Sequence, residues 1–161
     1  KNKSSRMLNY RKAISKDVDV YYKWANESTV RDQSYNSQPI DFKSHVKWFN
    51  EKINNQNCSM FFFYDDNKEA VGQVRIEKND SNNAIIGISI DSTKRGKRYA
   101  TNMLEISTDN FLVSNSLFII HAYIKESNIA SKKIFKQAGF QFQDMLDYKN
   151  YYSYHFTKNK L

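Results

Sequence analysis

The spacing of apolar positions predicts short strands alternating with amphipathic helices. Residues Met7 to Ile14 read as a first strand, and Asp17 to Asn26 as a short helix with Val20, Tyr21 and Trp24 on one side. Arg31 to Ile40 is polar and reads as a loop. Phe42, Val46, Phe49 and Ile53 then recur at helical spacing, with Asp41 placed to cap the helix and His45 and Trp48 on a neighbouring face. Ser59 to Tyr64 is a compact aromatic strand and Ala70 to Lys78 an alternating one; the turn Asp65-Asp66-Asn67-Lys68 joins them into a hairpin. Ala84 to Asp91 is β-branched and apolar on both faces, the pattern of a strand deep in a sheet. After a basic loop, Tyr99 to Val113 has helical spacing and Leu117 to Ile124 is a buried strand. Ser127 caps a helix to Gln137, stopped by Ala138-Gly139, and Gln141 onward leads to a Tyr-rich strand, Tyr151 to Thr157. An antiparallel meander passing into strand, helix, strand predicts a mixed α+β domain over residues 1–161, with residues 1–6 outside the pattern.

Composition narrows the classes. At 161 residues, with 11 Phe, 11 Tyr and 2 Trp, the chain has the length and apolar material for one core, which excludes a disordered protein. The formal charge of +8 would suit a polyanion, but the excess is mostly Lys and comes with many Asn, Ile, Tyr and Phe. These residues share A/T-rich codons, so base composition accounts for the bias without a nucleic-acid partner. Cys58 is the only cysteine, which excludes an intrachain disulfide and a Cys-rich metal site; at a strand entrance it reads as a small core residue. His45, His121 and His155 are isolated in sequence and show no ligand spacing, so no metal is expected. Met60 to Tyr64 and Ala84 to Ile90 are far shorter than the roughly 20 apolar residues of a membrane helix, and Lys1 to Arg6 leads into no signal core. The expected compartment is the cytoplasm, without a membrane partner. The chain opens on Lys rather than Met, which leaves room for a preceding segment.

Chemistry concentrates in two segments. The first is a strand ending Ile88-Ser89-Ile90-Asp91, a basic loop through Arg95-Gly96-Lys97-Arg98, and a helix beginning near Tyr99. A helix N-terminus leaves unpaired N–H groups and partial positive charge, so such a loop is a ready pyrophosphate site. The second runs from Glu126 to Phe140, with Ile134 and Phe135 facing the core and Gly139 supplying a positive φ.

Together and in this order the segments resemble the acetyl-CoA motifs of the GNAT superfamily of N-acetyltransferases. Arg95-Gly96-Lys97-Arg98-Tyr99-Ala100 matches Arg/Gln-x-x-Gly-x-Gly/Ala, and Asn128, Ser131, Phe135, Gly139 and Phe140 match the helix motif. The resemblance implies a mostly antiparallel twisted sheet of about six to seven strands, splayed between the fourth and fifth and flanked by about four helices. It further implies that loop amides from Arg95 to Ala100 hold the CoA pyrophosphate, that Ile88, Ser89 and Ile90 pair with the pantetheine arm, and that Asn128 contacts that arm. Two residues depart from the pattern. Arg98 stands at a Gly position, which suits an ordinary negative φ, and Phe135 replaces the Tyr that protonates the leaving thiolate.

The first half resembles the branch that acetylates UDP-linked 4-amino-4,6-dideoxy sugars in pseudaminic acid biosynthesis, through Trp24-Ala25-Asn26, Arg31 and Ser34, Ile40, and His45 with Trp48. The implied roles are a diphosphate on Arg31, a phosphate or sugar hydrogen bond from His45, and stacking on Trp48. The same residues read structurally as an ion pair, a helix-surface histidine and core packing. The expected reaction is direct attack of the sugar's 4-amino group on acetyl-CoA in a ternary complex, with Tyr123 and Glu126 as proton relays. An acetyltransferase for a protein N-terminus or another small amine is the alternative enzyme, although the Glu that serves the ribosomal branch as base is replaced by Tyr123. An inactive CoA-binding module is the alternative suggested by Phe135 and Arg98. The partner is expected to be a small molecule, and the chain a monomer or a homodimer.

Overall fold

In the computed structural model, which describes residues 8–160, the alternating segments form seven strands. These are β1 (Asn9–Lys12), β2 (Cys58–Tyr64), β3 (Ala70–Lys78), β4 (Asn83–Ile90), β5 (Ile119–Lys125), β6 (Gln141–Tyr148) and β7 (Tyr151–Asn159). The described helices are α1 (Val18–Ala25), α2 (Ser28–Gln33), α3 (Phe42–Ile53), α4 (Tyr99–Ser114) and α5 (Ile129–Gln137). Met7, the expected start of the first strand, lies outside the described residues. The mixed α+β class holds: one sheet runs β1-β2-β3-β4-β5-β7-β6, and β4–β5 is its only parallel neighbour pair.

Three local expectations are corrected. Helix α2 occupies the start of the segment read as a polar loop. Its short turn is held by the side chain of Arg31, described below. In α3 the buried residues are His45 and Phe49, while Phe42 is 44% exposed and packs edge-on with Tyr22, at 5.1 Å between ring centres. The buried stripe is therefore rotated toward His45. At α5 the cap is Asn128 rather than Ser127, its side-chain oxygen accepting from the Ser131 N–H at 3.2 Å. Asp41 caps α3 as expected, accepting from Ser44 N–H, and Gly139 takes the left-handed φ of +93° that ends α5.

The sheet is packed on both faces. Helices α4 and α5 cover Phe61, Val74, Ile76, Ile86, Ile120 and Phe156. Helices α1 and α3 cover the opposite side, where Trp24, Phe49, Cys58, Met60 and Phe62 are buried. Gly72 is required where the first layer is tightest, because a Cβ there would lie 2.3 Å from the Ser89 carbonyl oxygen and 2.9 Å from Met103.

The parallel pair fixes the site. Strands β4 and β5 are in register only at Asn83–Ile119, Ala84–Ile120 and Ile85–His121. Beyond those rungs Ile86 to Ile90 has no strand partner on the β5 side, and a gap opens between the C-terminal halves of the two strands. Backbone N–H and C=O groups left unpaired along such an edge seek a partner. No helix among the described residues is long and apolar enough to cross a membrane.

Candidate active site

The loop after β4 is fastened before it reaches α4. Asp91 is buried and accepts from the Trp24 indole N–H at 2.8 Å, the Thr93 N–H at 3.0 Å and the Thr93 hydroxyl at 2.7 Å. Burial pushes its carboxyl up, but the Thr93 and Trp24 donors and Lys23 outweigh that and hold it below the usual value. Lys94 is clamped by Asp65 and Glu69 of the β2–β3 turn. Arg95 pairs with Glu27 at 2.6 Å and reaches the Ile90 carbonyl at 3.3 Å. Lys97 and Arg98 are exposed and have no acidic partner among the described residues.

The backbone then turns sharply into α4. Gly96 has φ +77° with nothing within 4 Å of the place a Cβ would occupy, and Tyr99 and Ala100 are buried in the first turn. Arg98 has φ +61°, so the expectation of an ordinary negative φ is overturned. The turn into the helix needs a left-handed residue there whichever side chain stands at the position. Open space at Gly96, the exposed cations Lys97 and Arg98, the unpaired edge of Ile88, Ser89 and Ile90 and the N-terminus of a 16-residue helix together fit a pyrophosphate-bearing, extended ligand. Asn128 and Ser131 sit at the neighbouring N-terminus of α5, whereas Phe135 is buried against Phe140, 5.1 Å between ring centres.

A cavity of about 540 Å³ lies at the C-terminal end of β5. It is lined by Asp32, Ser37, Lys125, Glu126, Tyr151 and Tyr152, with Ser127 at its edge. Tyr35 meets Tyr151 and Tyr148 edge-on, and Tyr148 stacks on Tyr123 at 4.0 Å and 5°. The Ser153 hydroxyl donates to the Tyr151 carbonyl at 2.9 Å, so the Tyr35 hydroxyl is the donor in their 2.7 Å contact. Burial, with Tyr148 and Asp144, pushes the Tyr123 phenol above its ordinary value. A phenol in that state is a proton donor at neutral pH, not a base. Glu126 is exposed at the cavity wall, its backbone N–H held by the Tyr152 carbonyl at 3.1 Å.

The structure gives the other site expectations mainly structural surroundings. Arg31 donates to the Asn36 and Gln38 carbonyls at 2.9 and 3.2 Å and to the Ser34 hydroxyl at 3.1 Å. Ser34 in turn donates to the Val30 carbonyl at 2.6 Å. The guanidinium thus ties down the loop that carries Tyr35 and Ser37. The buried His45 ring contacts the Val18 carbonyl at 3.0 Å, and burial lowers its pKa more than that carbonyl and Asp19 raise it. Trp48 lies beside it with the Arg75 guanidinium 5.1 Å above its ring. Neither His45 nor Trp48 lines the cavity.

Sequence reasoning missed two groupings. His121 and His155, isolated in sequence, meet at 2.8 Å, and the chain of contacts extends to Asn83 at 2.7 Å and Asp144 at 2.8 Å. A register shift between Phe142 and Asp144 aligns Asp144 with His155. Among the described residues no group of three or more His, Cys, Asp or Glu is placed to hold a metal. The second is Lys125, buried under Tyr151; it lies one residue past the expected strand end at Ile124.

Comparison with known proteins agrees with this geometry. The spermidine N-acetyltransferase of Vibrio cholerae, solved with CoA and spermine, superposes with a TM-score of 0.81 at 17% identity, over 93% of this chain and 92% of that one. The aminoglycoside acetyltransferase AAC(6')-Ib, solved with coenzyme A and kanamycin, gives 0.80 at 13% identity over 96% and 95%. A domain from Methanocaldococcus jannaschii gives 0.80 at 21% identity over 96% and 100%. At these identities the likeness concerns the fold. No curated protein matches the sequence. The family model of the acetyltransferase (GNAT) domain, however, matches residues 7–141, most of the chain. With that match, the gap between β4 and β5 and the open loop at the start of α4, the chain belongs to the GNAT family and is an acetyl-CoA-dependent N-acetyltransferase.

Proposed function

We propose that the enzyme acetylates the 4-amino group of a nucleotide-linked amino-deoxy sugar by direct attack in a ternary complex, as in pseudaminic acid biosynthesis. The observation that carries this reading is the tyrosine-walled cavity at the C-terminal end of β5. Aromatic faces with a polar tip suit sugar rings, which present C–H groups on one face and hydroxyls at the rim. The resemblance of the N-terminal half to the sugar-acetylating branch supports the same acceptor.

Acetyl-CoA supplies the activated thioester, and the protein's share is placement. The amides from Arg95 to Ala100, with Lys97 and Arg98, hold the pyrophosphate, and Ile88 to Ile90 with Asn128 and Ser131 align the pantetheine arm. Phe135 packs in the core and has no proton to give. Asp32 and Glu126 face the cavity and hold the acceptor amine, with Glu126 placed to take its proton through water. Tyr123, protonated, donates at the reacting centre. Much of the acceleration comes from fixing two reactants together.

A second reading, a polycationic amine acceptor, is favoured by the two carboxylates in the cavity; structures similar to this one include enzymes named for spermidine and for aminoglycosides. The test is mass spectrometry of the enzyme with acetyl-CoA and, separately, UDP-4-amino-4,6-dideoxy-N-acetylaltrosamine, spermidine and kanamycin. The sugar is expected to gain one acetyl group at turnover rates. Turnover confined to spermidine or kanamycin rejects the sugar reading.

A further inference from the structure

Lys125 is the one lysine or arginine buried among the described residues, at 6% exposure. Its ammonium donates to the Asp32 carbonyl at 3.1 Å, lies 3.7 Å from the centre of the Tyr151 ring and 5.9 Å from that of Tyr35, and has no carboxylate partner among the described residues. An ammonium has three donors, and the protein supplies one oxygen acceptor. Burying a charge is costly unless it is paired, and the faces of two tyrosines compensate it only in part. The group is nevertheless built in: its strand neighbour Ser153 is fully buried and anchors both Tyr35 and Tyr151. Lys125 also lines the acceptor cavity, opposite in sign to Asp32 and Glu126. A cavity with one buried cation and two carboxylates is matched by a molecule bearing both charges.

We propose that Lys125 is the anion-recognition residue of the acceptor site, holding a phosphate of the molecule whose amine is acetylated while Asp32 and Glu126 face that amine. The proposal rests on the nucleotide-sugar reading and moves the phosphate contact from Arg31, whose Nη groups bond the loop, to β5. Spermidine and kanamycin, which carry no anion, would leave Lys125 unpaired.

The test begins with binding. UDP, which carries the diphosphate without an amine, is titrated into the enzyme saturated with CoA so that the pyrophosphate loop is occupied. Binding is expected for the wild type, with a loss of at least tenfold in Lys125→Met and Lys125→Gln and retention in Lys125→Arg. Gln keeps a donor for the Asp32 carbonyl and serves if Met prevents folding. Equal binding by wild type and both neutral variants, or no binding by the wild type, overturns the proposal. The kcat/KM for the UDP-linked amino sugar is then compared with that of the same sugar without nucleotide. A preference for the nucleotide form that collapses toward unity in Lys125→Gln supports the site, and an unchanged preference overturns it. UDP binding that depends on Lys125, without acetylation of the UDP-linked amino sugar, would leave the site standing and reject the sugar-acetylation reading instead.

Discussion

At Arg98 the backbone and the side chain pull in opposite directions. A left-handed φ of +61° costs a non-glycine residue about 1 kcal/mol, yet the exposed guanidinium stands at the helix terminus proposed to hold the pyrophosphate. Arg98→Gly is therefore expected to raise the melting temperature slightly while weakening acetyl-CoA binding by calorimetry. Unchanged affinity would show that the cation is idle. Tyr123 is a second residue whose role follows from its surroundings: burial, Tyr148 and Asp144 keep the phenol protonated. Tyr123→Phe retains the stacked ring and removes the proton, so kcat is expected to fall about 100-fold with little change in stability. A kcat within twofold of wild type would remove Tyr123 from the reaction. The sequence singled out both residues, Arg98 at a Gly position and Tyr123 as a proton relay, but not the left-handed φ of the one or the burial that keeps the other protonated.

Between elements, the decisive features are close approaches and clamps. Gly72 lets β3 and β4 pass where any side chain would strike the Ser89 carbonyl. Gly72→Ala is expected to cost about 1–3 kcal/mol in urea denaturation and, by displacing Ser89 and Ile90, to weaken acetyl-CoA binding. The Arg31 clamp acts on the loop beside the proposed acceptor cavity. Its planar fork serves two carbonyls and a hydroxyl at once, which a lysine ammonium on a flexible stem does poorly. Arg31→Lys is expected to loosen the turn carrying Tyr35 and Ser37 and to raise the acceptor KM about tenfold with kcat largely kept. A direct phosphate contact would instead make the loss specific to nucleotide-bearing acceptors. Element boundaries were largely readable: the Asp41 cap, the span of β3 and the stop at Gly139 are local effects of turn and cap chemistry. The partners of Arg31 were not, because its short-range carbonyl contacts depend on α2, which the polar composition of that segment concealed.

For the molecule as a whole, buried ionisable groups set the response to acid. His45 is held neutral by burial, so the unfolded chain takes up a proton that the folded chain refuses as pH falls below its ordinary value of 6.5. Stability is present above that pH and declines below it. Asp65 and Asp91 act lower. Burial raises both, but Lys94 and the backbone N–H groups of Glu69 and Asn67 at Asp65, and Thr93 and Trp24 at Asp91, hold them below their ordinary 3.8. Their contribution is present above about 3.8 and lost as pH falls through the lower folded values. Urea denaturation from pH 8 to 3 is expected to show two declines, the first diminished in His45→Gln. A first decline unchanged in that variant would assign it to another group.

The sequence by itself determined the order of strands and helices apart from α2, the mixed α+β class, and the basic glycine-bearing loop that leads into α4, because hydrophobic period, caps and turn chemistry act over a few residues. Tertiary structure alone decided the surroundings of the cavity at the end of β5. The gap between β4 and β5 arises where a parallel register ends after three rungs, a property of two strands far apart in the chain. The juxtaposition of His121 with His155, the withdrawal of His45 into the core and the burial of Lys125 beneath Tyr151 come from strand register and helix rotation. A residue's chemistry in this protein follows from what packing leaves unpaired, and that is settled only when distant segments meet.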